Sequence, residues 1–294
     1  MISVIVPAFD NLDGLRQCLR PLMAQTYPRD RYEIMVVDNG SAQDIASVVA
    51  EFPRVRLERE PRPGSYAARN HGIAATRSEV LAFIDSDCIP IAAWLEKGVE
   101  RLLATPNCGL VAGRVELYFR NPDRPTSSEL YDFLVMGFHQ DRHVEARWGG
   151  VGNLFTYRSV FEKVGVFNAS MMSGGDLEWG RRVHAQGYEL VYSAEASAAH
   201  PARDSLAATL RRAARIAGGR YALKAQAGAS VARRAIDLAR SVTPAVGFYW
   251  RVMGDPRLAK VSDRARVVLV ALAVKYAEAG ELMRLMLGGS PRRE

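Results

Sequence analysis

Asp85 and Asp87 are the residues of this sequence best placed to do chemistry. They stand two apart, directly after the apolar run Val80-Leu81-Ala82-Phe83-Ile84. A short run with β-branched and aromatic residues and no polar face reads as a fully buried strand of a mostly parallel sheet. The two carboxylates then sit just beyond the carboxyl edge of that sheet, where open α/β folds bind ligands. In a turn they can converge on one hard cation, Mg2+ or Mn2+, with waters and substrate phosphates filling its other positions. Asp-Ser-Asp is also ordinary turn chemistry, so the rest of the chain has to decide.

Further candidates recur at the ends of other elements. Asp38 closes a strand inside VVDNGS. It can accept hydrogen bonds from a nucleotide base or ribose, or simply close an Asx-turn. Arg69, in GSYAARNHG, falls on the helix before the Val80 strand. Its forked donors suit a diphosphate, and a surface arginine would read the same way. Asp176 and Glu178 lie in SGGDLEWGRR. Asp176 at a helix start is either an N-cap or a general base for an acceptor hydroxyl. Trp179 can pack under the loop or stack on a sugar face. His200, after a strand and before a proline, can ligate a metal through neutral imidazole or be a structural histidine.

An alternation of strands and helices positions these residues. Ile2–Val6, Ile34–Val37, Val55–Glu58 and Val80–Ile84 read as strands. Leu12–Ala24, Ile45–Phe52, Ser65 to about Ala75 and Ala92–Ala104 read as helices, the first kinked or split at Pro21 and the third capped by Ser65. Right-handed crossovers follow, and with them an α/β fold with a parallel sheet. After Leu110 the texture changes. Leu110–Phe119 is strand-like, Leu130–Gly137 and Asp176–Gln186 are helical, and Glu189–Tyr192 is a last strand. Beyond His200 the chain is helical and basic, broken near Thr243-Pro244 and Gly254-Asp255-Pro256.

The 294 residues are 48% hydrophobic and 24% charged, a globular balance. The formal net charge of +7 is carried mostly by arginine and favours an anionic partner. Cys18, Cys88 and Cys108 show no ligand or disulfide spacing, which fits a reducing, cytoplasmic compartment. No basic n-region precedes the first strand, so no leader is expected. The longest apolar run, Val267–Val274, is far short of the roughly 20 residues a spanning helix needs. Leu206, Leu210, Ala213, Ala217 and Tyr221 recur at helical spacing among Arg203, Arg211, Arg212, Arg215, Arg220 and Lys224. Such a basic amphipathic helix either docks on an anionic membrane, at the inner face of the cell membrane, or packs on its own protein. Nucleic acid is not expected, because no aromatic interleaving accompanies the arginines.

Six segments, in order, resemble family-2 inverting glycosyltransferases of the GT-A fold. They are SVIVPAFDN, VVDNGS, PGSYAARNHGI, FIDSDCIP, GNLFTYRSVFEKVGVFN and SGGDLEWGRR, spread over the first two-thirds of the chain. The resemblance implies a Rossmann-like, mostly parallel sheet flanked by helices, with a helical C-terminal extension. It implies a catalytic domain over 1–200, its nucleotide-binding half 1–108 and its acceptor half 109–200, followed by a basic helical region over 201–294. It places Pro7, Phe9, Asp38, Arg69 and Asp85 on the nucleotide sugar, a UDP-sugar as first expectation. Asp85, Asp87 and His200 would hold Mn2+ or Mg2+, and Asp176 would be the catalytic base. Asn153, Glu178 and Trp179 would face the acceptor, a glycan or lipid-linked saccharide. One departure stands out: where the family usually has Glu-Asp, this chain has Gly175-Asp176. Two other readings remain beside the transferase: a nucleotidyltransferase, and a sugar-nucleotide-binding module without catalysis.

Overall fold

The computed structural model describes residues 1–228, 230–243, 246–290 and 292. Contacts divide the chain into two compact units. The first comprises Met1–Glu116, Phe138–Met171 and Gly175–His200; the second comprises Leu117–Gly137, Met172–Gly174 and Pro201–Glu294. Leu117–Gly137, read from the sequence as part of the acceptor half, clusters with the C-terminal helices.

The first unit is built on eight strands: β1 (Ile2–Ala8), β2 (Tyr32–Asp38), β3 (Val55–Arg59), β4 (Val80–Ile84), β5 (Ile89–Pro90), β6 (Cys108–Tyr118), β7 (Asn153–Tyr157) and β8 (Glu189–Pro201). They form one sheet in the order β3-β2-β1-β4-β7-β6-β8-β5. The expected parallel half is β3-β2-β1-β4, with Ala8 opposite Asp38 and Ile5 opposite Phe83. The other half is antiparallel: β7 runs against β4 and β6, and β5 against β8. The sheet is therefore mixed. All five residues of β4 are buried, which is why its sequence carries no polar alternation.

Helices α1 (Leu12–Met23), α2 (Ile45–Val49), α3 (Ser65–Ala75) and α4 (Trp94–Ala104) follow the first strands. Leu15, Cys18, Leu19 and Leu22 make the buried stripe of α1. That helix is not split at Pro21, which falls in its last turn, two residues before its end. Ser65 is the first residue of α3 and not its cap; Gly64, at φ 118°, holds the cap position. Trp94 of α4 packs on Phe155 of β7 with ring centroids 4.7 Å apart. α6 (Gln140–Glu145), α7 (Arg158–Val164) and α8 (Gly175–Ala185) complete the first unit, with α5 (Ser127–Tyr131) belonging to the second.

In the second unit, α5 leads into a wider helical turn at Asp132–Met136. α9 (Leu206–Gln226), α10 (Val231–Val242), α11 (Val246–Met253) and α12 (Val261–Met286) follow. Its core gathers Leu130, Tyr131, Ala213, Val252, Leu258, Val267, Val270, Ala271 and Val274. The expected break at Gly254-Asp255-Pro256 separates α11 from α12, whereas Pro244 lies outside the described residues. Among the described residues, no helix is long and apolar enough to cross a membrane.

Candidate active site

Parallel crossovers bring the ends of β1, β2 and β4 to one edge of the sheet, and the site begins there. Asp10, at φ 43°, clamps two loops together: its Oδ1 accepts from the amides of Ala42 (2.7 Å) and Gln43 (2.9 Å). Asp38 accepts from the Ser41 amide at 2.9 Å, so it does close an Asx-type turn, with its second oxygen 3.7 Å from Arg59. Asn39, which sequence reasoning passed over, is buried and ties this edge to the next loop. Its amide donates to the carbonyls of Glu60 (3.0 Å) and Arg62 (2.7 Å) and accepts from the Gly64 amide (2.8 Å). Pro7 and Phe9 lie half-buried at the end of β1.

α3 organises the centre. Arg69 is buried and pairs with Asp85. Its Nε is also buried and has no hydrogen-bond partner within the protein, an arrangement proteins rarely leave without purpose. Tyr66, one turn earlier, donates from its hydroxyl to Asp176 Oδ1 at 3.1 Å. The Arg69 guanidinium carbon lies 5.8 Å from the Tyr66 ring centre. One helix thus grips both the carboxylate after β4 and the carboxylate of α8. Tyr66 was legible only as a side chain three positions before Arg69 on the same face.

Asp176 is partly buried at the start of α8. Burial pushes its pKa up; the Leu177 amide (2.9 Å), the Tyr66 hydroxyl and the nearby Arg69 oppose that rise. A raised carboxylate is a stronger base. Burial also pushes the Tyr66 phenol up, followed by the charge of Asp176, so it remains a donor. The missing glutamate has a steric explanation. A Cβ at position 175 would come within 2.8 Å of the Tyr66 ring. Glycine there lets Tyr66 reach Asp176.

Asp87 and His200 come together, Oδ2 to Nε2 at 3.3 Å. Cys88 joins them: one ligand atom from each of the three lies within 4.8 Å of the others. Asp85 is not in that cluster, because its carboxylate faces Arg69. The His200 ring packs on Phe138 at 4.7 Å. An oxygen and an imidazole nitrogen fit a cation such as Mn2+, whereas the Cys88 sulfur is a poor ligand for it. Gly152 lets the chain pass close to Asp85; a Cβ there would lie 2.6 Å from its Oδ2.

The three residues assigned to the acceptor side are placed otherwise engaged. Asn153 is fully buried, accepting from the Trp94 indole (2.8 Å) and donating to the carbonyls of Arg114 and Ala196 (2.8 and 2.9 Å). Trp179 is fully buried, stacked on Phe161 at 4.5 Å and donating to the Gly165 carbonyl at 3.0 Å. Glu178 pairs with Arg182 at 2.7 Å, and Arg182 in turn donates to the carbonyls of Val164 and Val166. All three act in holding up α8 and β7.

Comparisons with known proteins agree with this geometry. The profile of glycosyl transferase family 2 matches residues 3–168. Glycosyltransferase AglE of Haloferax volcanii is 36% identical over 207 residues, 69% of this chain and 67% of that one. Pre-mycofactocin glycosyltransferase of Mycobacterium tuberculosis is 29% identical over 212 residues, 70% of this chain but 43% of its own length. Among solved structures, the mannosyltransferase PcManGT of Pyrobaculum calidifontis, in complex with GDP-Man and Mn2+, shares the fold. Its TM-score is 0.63 at 20% identity, over 96% of this chain and 86% of that one. Sheet, strand-end carboxylates and neighbours define a glycosyltransferase of the GT-A fold. More narrowly, the chain belongs to glycosyl transferase family 2.

Proposed function

We propose that this protein transfers a sugar from a nucleotide-sugar donor to a hydroxyl of a glycan or lipid-linked acceptor, with inversion at the anomeric carbon. The observation that carries the reading is the double grip of α3: Tyr66 on Asp176, and Arg69 on Asp85. In this reading the domain over 1–200 does the chemistry, its half 1–108 holding the nucleotide through Pro7, Phe9, Asp38, Arg69 and Asp85. Arg69, whose forked guanidinium already meets Asp85 at the strand end, is the proposed contact for the diphosphate. Asp176 takes the proton of the acceptor hydroxyl. The oxygen bonds to the anomeric carbon from one face as the bond to the diphosphate breaks on the other, and the electron pair leaves with the nucleoside diphosphate. Asp87 and His200 would hold a divalent cation, with Asp85 beside it, and a cation bound there would neutralise the leaving diphosphate. The protein is read as cytoplasmic and peripheral to an anionic membrane face through its basic C-terminal region.

The test is product identity across a donor panel with Mn2+. It begins with UDP-sugars and includes GDP-mannose, the ligand of the structural neighbour. Release of nucleoside diphosphate with an acceptor of inverted linkage is expected. Release of pyrophosphate would make the protein a nucleotidyltransferase. Donor binding without any product from any acceptor would make it a binding module.

A further inference from the structure

Charge in this chain is divided unevenly. Residues 1–200 hold 21 Lys and Arg against 25 Asp and Glu, a net of −4, whereas residues 201–294 hold 18 against 7, a net of +11. Exposed apolar surface is concentrated in the same stretch. Ten of the sixteen exposed large apolar side chains among the described residues come after His200.

The basic helix singled out in the sequence, α9, contributes only Leu206 to that surface. Its Ala213 and Ala217 are buried, and three of its five cations are drawn into ion pairs. Arg212 meets the buried Asp132 at 2.6 Å, Lys224 meets Asp237 at 2.6 Å, and Arg220 lies 3.6 Å from Glu278. The Val267–Val274 run supplies core as well: Val267, Val270, Ala271 and Val274 are buried.

α12 is different because it is apolar on both sides. Opposite its buried face stand Leu269, Tyr276 and Met283, with Leu287 just past its end, between 53% and 83% exposed. At 3.6 residues per turn their spacings of seven, seven and four keep them within about 40° of one line. Small residues, Ala273 and Gly280, fill positions between them. Charged residues such as Arg266 and Lys275 lie on the flanks, so α12 presents two apolar faces, one packed and one exposed. An exposed apolar stripe of this kind marks a surface that something covers.

We propose that this outer stripe of α12 inserts into the headgroup boundary of an anionic bilayer. The inference rests on the peripheral reading above and assigns the surface responsible. Charge decides the occupant: an anionic leaflet attracts a region of net +11, whereas a second copy would bring two such regions together. A tyrosine within the stripe suits the water–lipid boundary. No described helix is long and apolar enough to span, so α12 lies in the plane of the surface.

The experiment floats the full chain with vesicles of phosphatidylcholine containing phosphatidylglycerol, and with phosphatidylcholine alone. The wild type should bind the anionic vesicles, less so in high salt. Leu269→Glu/Met283→Glu should lose at least about tenfold in partitioning, while Leu103→Glu, at an exposed position of α4, should not. A second measurement serves if the double variant fails to fold. An environment-sensitive dye on Met283→Cys, the three native cysteines being buried, should shift to the blue on anionic vesicles. If the folded double variant binds like the wild type, or the dye stays in water, the stripe is not the inserted surface even though the protein is peripheral. If the wild type binds no vesicle, the peripheral reading falls with it. A dimer that the double variant dissociates without change in vesicle binding would hand the stripe to a second copy.

Discussion

Tyr66→Phe isolates the hydrogen bond on which the base assignment turns. The phenylalanine ring keeps the packing against Phe167 (centroids 5.8 Å apart) and against Gly175, and removes only the hydroxyl that donates to Asp176 at 3.1 Å. Hydrogen bonds to charged groups contribute about 1.5–3 kcal/mol net. A bond of this length to a partly exposed carboxylate belongs at the lower end, about 1.5 kcal/mol. One pKa unit corresponds to about 1.4 kcal/mol, so the bond can account for about one unit. The sign follows from the site. Burial raises Asp176, and the Tyr66 hydroxyl is among the groups that lower it. Removing the hydroxyl therefore raises it further, and the acid limb of kcat/KM should move up by about one pH unit. Below that limb the variant should be about tenfold slower; well above it, the rates should converge. The assay is initial-rate transfer across a pH series, with donor affinity measured alongside. An acid limb that stays in place would refute the idea that this bond tunes the base.

Further outcomes follow from the same geometry. Asp176→Asn should cut transfer by about 10²–10⁴ while sparing donor affinity, and Glu178→Gln should keep far more activity; equal transfer by Asp176→Asn and wild type would move the base elsewhere. The same Asp176→Asn variant should melt higher at pH 7. A carboxylate whose folded pKa is raised contributes stability below its ordinary 3.8 that is lost as pH rises through the folded value, so the gain should vanish in acid. A nucleoside diphosphate should raise the melting temperature in a Mn2+-dependent way, and Asp87→Ala and His200→Ala should each abolish that rise; retention by both variants would remove the cation from this pair. Gly175→Ala should destabilise by about 1–3 kcal/mol, because the added Cβ drives into the Tyr66 ring; an unchanged melting curve would mean that the ring yields without cost.

The parallel half of the sheet was legible because local pattern decides it. Five consecutive apolar residues in β4 leave few alternatives to a buried strand, and the turn residues after it mark the edge. The antiparallel half was less so. β8 runs from Glu189 to Pro201, although its sequence suggested a strand only to Tyr192. Beyond that point its alanines and serines carry no strong strand signal, and pairing with neighbours, including Ala199 of β8 opposite Ile89, holds them extended. Glu178 and Trp179 stood close enough to Asp176 in sequence to share a site. The helix turns them away, into an ion pair and an aromatic core.

The sequence by itself determined the class of fold, the carboxylates at strand ends and the basic character of the C-terminal region, because each is written in residues that are neighbours along the chain. Tertiary structure alone decided which of these meet. It put Asp87 beside His200, more than a hundred residues later, and turned Asp85 toward Arg69. It brought Tyr66 to Asp176 through the gap that Gly175 leaves. It also drew Arg212 of α9 into an ion pair with the buried Asp132 while leaving a stripe of α12 uncovered. Contacts across such separations are fixed by packing, and packing is a property of the whole chain that no local window contains.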